Sequence, residues 1–217
     1  TKKAMKEVTV QHLLTMTAGF TYDVDTEPIK KLQRDNPLAD LRKFISAFVQ
    51  SPLAFEPGAK FQYSLCYDVL AGVIEGAAEK KFSEFVKENI FQPLEMYNSN
   101  FDNRKTNFPQ MYQAEKNGKI SLVDGKNRLI LSKNYESGGA GLISTVEDYA
   151  KFSRFLAQGG VNVRGERLLG ESYIKLMASE QVGKIAVKNN FTCVQGDDYG
   201  YGFGVRVRKR ATDWGLP

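Results

Sequence analysis

The stretch PGAKFQYSLCYDVL, residues 57–70, decides the fold that this chain can adopt. It opens with a Pro57-Gly58 turn and leads into apolar residues at helical spacing, which are Cys66, Val69, Leu70, Val73, Ile74 and Ala77. This spacing predicts a helix over residues 65–79 with one buried face. Tyr63 and Ser64 then stand at its N-terminal end, where the helix dipole and unpaired backbone N–H groups favour negative charge. The stretch therefore predicts a place where a phenolate or an oxyanion is stabilised.

Other helices are expected on both sides of this stretch, because apolar residues recur there at the spacing of one helix face. Capping and breaking residues set their bounds. The predicted helices are residues 9–16 with Thr9 as the cap and Ala18-Gly19 as the end, a helix between Asn36-Pro37 and Ser51-Pro52, residues 83–90, and a helix from Ser144-Thr145 to Gly159-Gly160. Helix therefore dominates the chain.

Strands are expected in two places. Residues 119–123 and 128–131 flank Asp124-Gly125, a dipeptide suited to a tight hairpin turn. At residues 199–207, tyrosine, phenylalanine and valine side chains alternate with glycine and arginine, which predicts one strand with a bulky face and a flat face. The fold class is therefore α+β, predominantly helical, with a small hairpin and a C-terminal strand.

A glycine-rich loop occupies residues 137–141. Consecutive backbone N–H groups can bind a phosphate, but the strand and Gly-x-x-x-x-Gly-Lys context of a phosphate cradle is missing here. We interpret the loop as a tight connection that borders a cleft.

The composition narrows the range of partners. The 217 residues carry a net charge of +5, but basic and acidic residues are interspersed and no nucleic-acid reader motif accompanies them. We therefore expect no nucleic-acid partner. No apolar run approaches the roughly 18 residues that a membrane helix needs, so no membrane span is expected.

Cysteine and histidine are too sparse for most metal chemistry. Cys66 and Cys193 match no metal-ligand spacing, and Cys66 falls on the apolar helical stripe, which predicts a buried free thiol. His12 is the only histidine, so a zinc site built from several histidines is excluded. We expect His12 to satisfy a backbone carbonyl beneath its helix. Neither a metal nor a cofactor is indicated.

Four stretches, read in order, resemble the family of serine β-lactamases, penicillin-binding proteins and related esterases. They are VTVQHLLTMTAG (residues 8–19), PGAKFQYS (57–64), SGGAGLISTVEDYAKFSRF (137–155) and YGYGFG (199–204). The resemblance implies the helical domain of the β-lactamase/transpeptidase-like fold and a mechanism through a serine acyl-enzyme. It implies a small-molecule acyl substrate, which would be an ester, an amide or a peptide. It also implies that Tyr63 is the catalytic residue that transfers the proton.

The nucleophile of that family belongs to a Ser-x-x-Lys motif that precedes the tyrosine. The match here, Ser172 to Lys175, follows Tyr63, and about one such match is expected by chance in a chain of this composition. We therefore expect residues 1–217 to be one internal segment of a larger hydrolase, with the nucleophile before Thr1 and the last strands after Pro217. Residues 199–207 would begin the main sheet, and the segment alone would be inactive.

Substrate binding is predicted for the residues that follow the tyrosine. Penicillin-recognising members commonly have Tyr-x-Asn, whereas this chain has Tyr63-Ser64-Leu65. Leucine cannot form the hydrogen bond that an asparagine amide gives to the substrate. The string from Tyr63 to Leu70 instead resembles the esterase-like branch, which favours ester hydrolysis. Ser64 is also a candidate cap for the helix.

Two alternatives stay open beside the esterase or amidase. One is a penicillin-binding D-Ala-D-Ala peptidase or β-lactamase, and the other is a non-catalytic binding or scaffold protein that kept the fold and lost the chemistry. Family members are often exported to the bacterial cell envelope, so the resemblance implies export of the larger protein. The physiological substrate and the oligomeric state do not follow from the sequence.

Overall fold

The computed structural model describes residues 3–102, 109–110, 112–123, 129–183 and 199–208. The predicted turn at Asp124-Gly125 and the second cysteine, Cys193, lie outside the described residues.

Helices dominate the described chain, as the sequence predicts. They are α1 (Val10–Leu14), α2 (Glu27–Asp35), α3 (Leu41–Phe48), α4 (Cys66–Ala78), α5 (Phe82–Val86) with a π-helical turn (Lys87–Phe91) after it, α6 (Val146–Ala157) and α7 (Glu171–Met177). Side chains cap three of them, because Thr9, Asp40 and Thr145 each accept a hydrogen bond from a backbone N–H in the first turn. The helices predicted at the Thr9 cap, over residues 65–79 and after Thr145 are confirmed.

The end of the first helix differs from the prediction. The first helix ends at Leu14, before Ala18-Gly19, because Met16 adopts a positive φ of 57° and Thr17 donates its N–H back to the carbonyl of His12. A left-handed residue closes a helix in this way. Helices α2 and α7 were not predicted.

The first hairpin forms upstream of its predicted position. Strands β1 (Tyr112–Ala114) and β2 (Ile120–Leu122) pair antiparallel, with Tyr112 opposite Leu122. Gly118, at a φ of 80°, supplies the turn between them. The predicted partner of residues 119–123 was wrong, since residues 129–131 are not in a strand.

The single strand predicted for residues 199–207 was also wrong. Strands β3 (Tyr199–Tyr201) and β4 (Arg206–Arg208) form a second antiparallel hairpin, with Tyr199 opposite Arg208. The chain reverses between them, where Gly202 donates its N–H to the carbonyl of Val205 over 2.8 Å. Gly204 adopts a φ of 80° there, which a side chain rarely tolerates. The glycines that we interpreted as one flat face of a strand make a turn instead.

The core lies around α4, which packs against α1, α3 and α5. Phe44 and Phe48 of α3 meet the ring of Tyr135 edge-on, with centroids 5.1 Å and 6.5 Å apart. Tyr135 is buried although it lies in the long connection before α6. This packing anchors the segment around residue 135 against the central helices, and that segment leads directly into the glycine-rich loop.

Candidate active site

Tyr63 lies immediately before α4, at its N-terminal lip. Two backbone hydrogen bonds hold the preceding residues beside the end of α1: Gly58 donates to the carbonyl of Thr17 over 2.8 Å, and Gln62 donates to that of Met16 over 2.9 Å. The half-buried ring of Tyr63 packs against the ring of Tyr22, with centroids 5.9 Å apart. The segment that follows α1 and the segment that precedes α4 thus converge on the tyrosine.

Burial raises the pKa of Tyr63 above its ordinary value. The pKa of Tyr22 is raised as well, first by burial and then by the neighbouring Tyr63. A phenol that acts as a base near neutral pH needs the opposite shift, which a nearby cation provides. The chemistry assigned to Tyr63 therefore requires a positive group that offsets the effect of burial.

The hydroxyls of Tyr67 and Tyr201 form a pair, and Tyr67 lies in the first turn of α4. The hydroxyl of Tyr67 donates to the carbonyl of Leu14 over 3.1 Å and lies 2.9 Å from the hydroxyl of Tyr201. Because the single proton of Tyr67 is committed to the carbonyl, Tyr201 is the donor of the second bond. Burial raises the pKa of Tyr201 to about 12, so it stays protonated at neutral pH. This chain of hydrogen bonds ties α1, α4 and β3 together.

The side chains of the two predicted substrate-binding residues point into the protein. Ser64 is 2% exposed, and its hydroxyl lies 3.1 Å from the thiol of Cys66. Leu65 is 4% exposed and belongs to the apolar core. The N-cap of α4 is Leu65, so the prediction that Ser64 caps the helix was wrong. The buried thiol predicted for Cys66 is confirmed, and burial raises its pKa.

Asp68 connects α4 to the glycine-rich loop. Its buried carboxylate accepts hydrogen bonds from the hydroxyls of Tyr135 over 2.7 Å and Ser137 over 2.6 Å. Burial raises the pKa of Asp68, while these two hydroxyls and the backbone N–H of Gly139 act in the other direction. A Cβ atom on Gly138 would collide with the carbonyl oxygen of Tyr67, so the loop lies directly on the helix. The predicted tight connection is confirmed.

His12 plays a different part from the predicted one. The Nδ1 atom of His12 accepts a hydrogen bond from the backbone N–H of Thr9. The backbone N–H of His12 donates to the Thr9 hydroxyl, and both distances are 3.2 Å. The imidazole therefore completes a capping box as an acceptor, and its expected bond to a backbone carbonyl was wrong.

The chance match to the nucleophile motif lies apart from this network, in α7. Ser172 is exposed in the first turn of that helix, and the ammonium of Lys175 pairs with Glu171 at 2.7 Å. The lysine thus faces a carboxylate, which leaves the serine without the activated pair that the motif requires.

A groove of about 830 Å³ lies elsewhere, at the C-terminal end of α4. Both acidic and basic side chains line it, among them Glu75, Arg42 and Lys81. Tyr63 does not line it, so its size does not identify the reactive centre. In the part of the chain that the structure describes, no cluster of three or more histidine, cysteine or acidic residues could hold a metal. None of the helices described there is long and apolar enough to cross a membrane.

Sequence reasoning singled out Tyr63, whose role stays a prediction, and it did not single out Tyr67, Tyr201 or Asp68. One signal was available for α4, because Asp68 is an acidic residue next to an apolar helical stripe. The position of Tyr201 carried no such local signal, because its partner lies 134 residues away.

A tyrosine at the lip of a buried helix, with a glycine-rich loop packed on the same helix, places this chain among proteins of the β-lactamase/transpeptidase-like fold. The chain belongs to the Beta-lactamase family, which matches residues 1–215. Among solved structures, it is similar to EstCE1, described as a hydrolase with promiscuous acyltransferase activity. The two are 25% identical with a TM-score of 0.68, over 94% of this chain and 57% of that one. The predicted β-lactamase/transpeptidase-like fold is confirmed.

Similar proteins include penicillin-binding proteins and esterases. A penicillin-binding protein from Bacillus halodurans is 25% identical, with a TM-score of 0.64 over 94% of this chain and 58% of its own. The esterase EstB of Burkholderia gladioli is 28% identical over 166 residues, which are 65% of this chain and 42% of EstB. A Mycobacterium tuberculosis protein, Rv1367c, is 23% identical over 95% of this chain and 52% of its own length. The chain thus spans about half the length of these curated relatives.

Proposed function

We propose that this chain is the tyrosine-bearing segment of a serine esterase or amidase, with Tyr63 as its proton-transfer residue. The observation that carries the proposal is the position of Tyr63, half-buried at the N-terminal lip of α4 and directly followed by Ser64 and Leu65. The lip favours negative charge, which suits a group that alternates between phenol and phenolate.

In the proposed reaction, a serine outside this chain attacks the ester carbonyl, and its proton passes to the phenolate of Tyr63. The carbon–oxygen bond to the alcohol then breaks, and Tyr63 returns the proton to the departing oxygen. Water then attacks the acyl carbon and gives a proton to the phenolate of Tyr63. The bond from the acyl carbon to the serine oxygen breaks, Tyr63 returns the proton to that oxygen, and the acid leaves. Because burial raises the pKa of Tyr63, a lysine from the same Ser-x-x-Lys motif would have to stabilise the phenolate.

Leu65 supports an ester in preference to a penicillin. Where penicillin-recognising members place an asparagine amide, this chain places an apolar side chain that is buried in the core. Ser64 and Leu65 would then meet the substrate through backbone atoms, since their side chains are turned inward. The names of two similar proteins, EstB and the hydrolase EstCE1, are consistent with this choice.

Intact-mass measurement tests where the nucleophile lies. The purified chain is incubated with a penicillin and, separately, with an activated phosphonate that traps nucleophilic serines. We expect no adduct on residues 1–217, and a stoichiometric phosphonate adduct on a longer form of the protein that carries a Ser-x-x-Lys motif. A stoichiometric adduct on the chain itself would show that its own serines are competent, and Ser172→Ala would then locate the reaction.

Turnover by the longer form tests Tyr63 and the substrate class. We expect a short-chain ester to be hydrolysed faster than a cephalosporin, and Tyr63→Phe to lower that rate by about 10²–10⁴-fold. Tyr149→Phe is the matched control, because Tyr149 is an exposed tyrosine on α6. Faster cephalosporin turnover would favour a β-lactamase or peptidase, and no turnover of either substrate would favour the non-catalytic alternative.

A further inference from the structure

The proposed reaction leaves one buried carboxylate of the site without a part in it. Asp68 is 2% exposed, and its neighbours are hydroxyls and a backbone N–H of a single segment, residues 135–139. Burying a carboxylate is costly, and donors that surround it offset the cost only while they stay in place. The hydrogen bonds that stabilise the buried Asp68 carboxylate therefore depend on the position of residues 135–139.

The hydrogen bonds of this segment extend into the glycine-rich loop. The Ser137 hydroxyl donates to Asp68 and accepts from the N–H of Ala140 over 2.9 Å. Gly141 donates its N–H to the carbonyl of Ser137 over 3.0 Å. Ser137 is fully buried, so it serves as a link between the carboxylate and the loop.

The loop in turn touches the helix turn that follows Tyr63. A Cβ atom on Gly138 would collide with the carbonyl oxygen of Tyr67, and one on Gly139 would lie 3.8 Å from the Cβ atom of Tyr67. Tyr67 lies in the first turn of α4, and Tyr63 precedes that helix by three residues. A displacement of the loop would therefore loosen the first turn of α4, which closely follows the segment that carries Tyr63.

We propose that Asp68 is a positioning residue for acyl transfer: it clamps the loop at residues 137–141 against the first turn of α4, close in sequence to Tyr63, so that the loop forms one wall of the acyl site. This inference rests on the proposed function. It assigns the carboxylate no contact with the substrate and no proton transfer, because Asp68 acts through Ser137, Tyr135 and Gly139.

Helix α4 offers a matched control for this role. Glu75 lies seven residues after Asp68 and is also buried, at 7% exposure. Its carboxylate accepts from the N–H of Phe82 over 2.8 Å and lies 3.5 Å from the guanidinium of Arg42. Glu75 thus stabilises the far end of the same helix with similar chemistry, and its carboxylate accepts from the start of α5 and not from the loop.

The experiment compares Asp68→Asn with Glu75→Gln in the longer, nucleophile-bearing form of the protein. A short-chain ester is the substrate, and thermal unfolding is recorded for each variant. The side-chain amide introduced by Asp68→Asn would still accept from a hydroxyl, but it would turn an N–H toward the N–H of Gly139. We expect Asp68→Asn to lower kcat about tenfold or more with a smaller change in KM, and Glu75→Gln to leave both within about twofold while it lowers the unfolding temperature.

Ser137→Ala keeps the test decisive if Asp68→Asn fails to fold, since it removes one donor and little volume. We expect a reduction of kcat in the same direction. In this chain, the amide resonance of Gly139 should move in the ¹⁵N spectrum of Asp68→Asn and stay in place in Glu75→Gln. If kcat for Asp68→Asn or for folded Ser137→Ala equals that of the wild type, the positioning role is wrong. A wild-type protein that hydrolyses no acyl substrate overturns the proposed function and this inference together.

Discussion

The hydroxyl of Tyr201 lies 2.9 Å from the hydroxyl of Tyr67, across 134 residues of sequence. The hydroxyl of Tyr67 donates its hydrogen bond to the carbonyl of Leu14, so the three groups form one directed chain from β3 through α4 to α1. The buried ring of Phe61 meets the ring of Tyr201 edge-on, with centroids 5.0 Å apart. The elements that surround Tyr63 are thus joined by buried hydrogen bonds as well as by packing.

The direction of this hydrogen-bond chain predicts unequal effects of two similar substitutions. Tyr201→Phe removes one donor and should lower the free energy of unfolding by about 1 kcal/mol. Tyr67→Phe leaves the buried Tyr201 hydroxyl and the Leu14 carbonyl without their bonds, and should cost about 2–3 kcal/mol. Urea unfolding of the chain measures both values. An equal or smaller loss for Tyr67→Phe would mean that the assigned direction is wrong.

The capping box at the start of α1 predicts a loss of stability for Thr9→Ala. The Thr9 hydroxyl accepts from the N–H of His12, so we expect a loss of about 1 kcal/mol in the free energy of unfolding. Thr26→Ala is the control, because Thr26 is the N-cap of α2 but its hydroxyl is buried without a partner among the described residues. That substitution should cost less than Thr9→Ala. The reverse order in a denaturant titration would argue against the capping role.

The hydrogen bonds of the buried Asp148 carboxylate lead us to expect a loss of stability in acid. Burial alone would raise its pKa, but hydrogen bonds from the N–H of Asn98, the Ser99 hydroxyl and Lys151 hold the pKa below the ordinary value. A carboxyl with a depressed folded-state pKa stabilises the fold above its unfolded pKa, and this contribution disappears as the pH falls through the folded pKa. We therefore expect Asp148→Asn to cost about 2 kcal/mol at neutral pH and much less in strong acid.

Unfolding of both proteins by urea across a pH series measures this difference. Asp148 is fully buried at the start of α6, so substitution should leave the surface charge of the rest of the chain unchanged. A stability difference between wild type and Asp148→Asn that stays constant down to the lowest pH would contradict the assigned direction of the shift.

We expect a side chain at position 138 to cause a packing clash. A methyl group there would meet the carbonyl oxygen of Tyr67 and the side chain of Ala71, so Gly138→Ala should destabilise the chain by about 1–3 kcal/mol. Gly76, within α4, has nothing within 4 Å of an added Cβ atom. Gly76→Ala should therefore stabilise the helix by up to about 1 kcal/mol. The unfolding temperature should fall for Gly138→Ala and rise for Gly76→Ala. A rise for both variants would refute the close packing at Gly138.

Local signals account for the elements that could be predicted. The Thr9 and Thr145 caps and the apolar spacing of α4 act within a few residues, and all three helices occur where these signals place them. Helix α2 carries local signals that the prediction did not use, since Thr26 precedes it and Pro28 lies at its start. Ile29 is its only buried residue, and helix α7 has no buried residue. Apolar spacing cannot reveal a helix that buries almost none of its surface.

Alternation misled the interpretation at residues 199–207, since a strand and a glycine-rich hairpin share the same pattern over so short a length. The deciding feature is the left-handed conformation of Gly204 together with the bond from Gly202 to Val205. A turn of this kind becomes favourable only when Tyr201 on one side is packed into the core.

The sequence by itself determined that Tyr63 stands at the start of a buried helix, because a turn, a helix start and an apolar stripe within residues 57–79 all act locally. The resemblance to penicillin-recognising proteins also predicts that Leu65 stands where those proteins have an asparagine. Only the tertiary structure decided what surrounds the tyrosine: Tyr201 reaches Tyr67, and Tyr135 and Ser137 reach Asp68, over separations of 134, 67 and 69 residues. Burial of the apolar core brings these polar groups together, and once they are removed from water they must bond to one another.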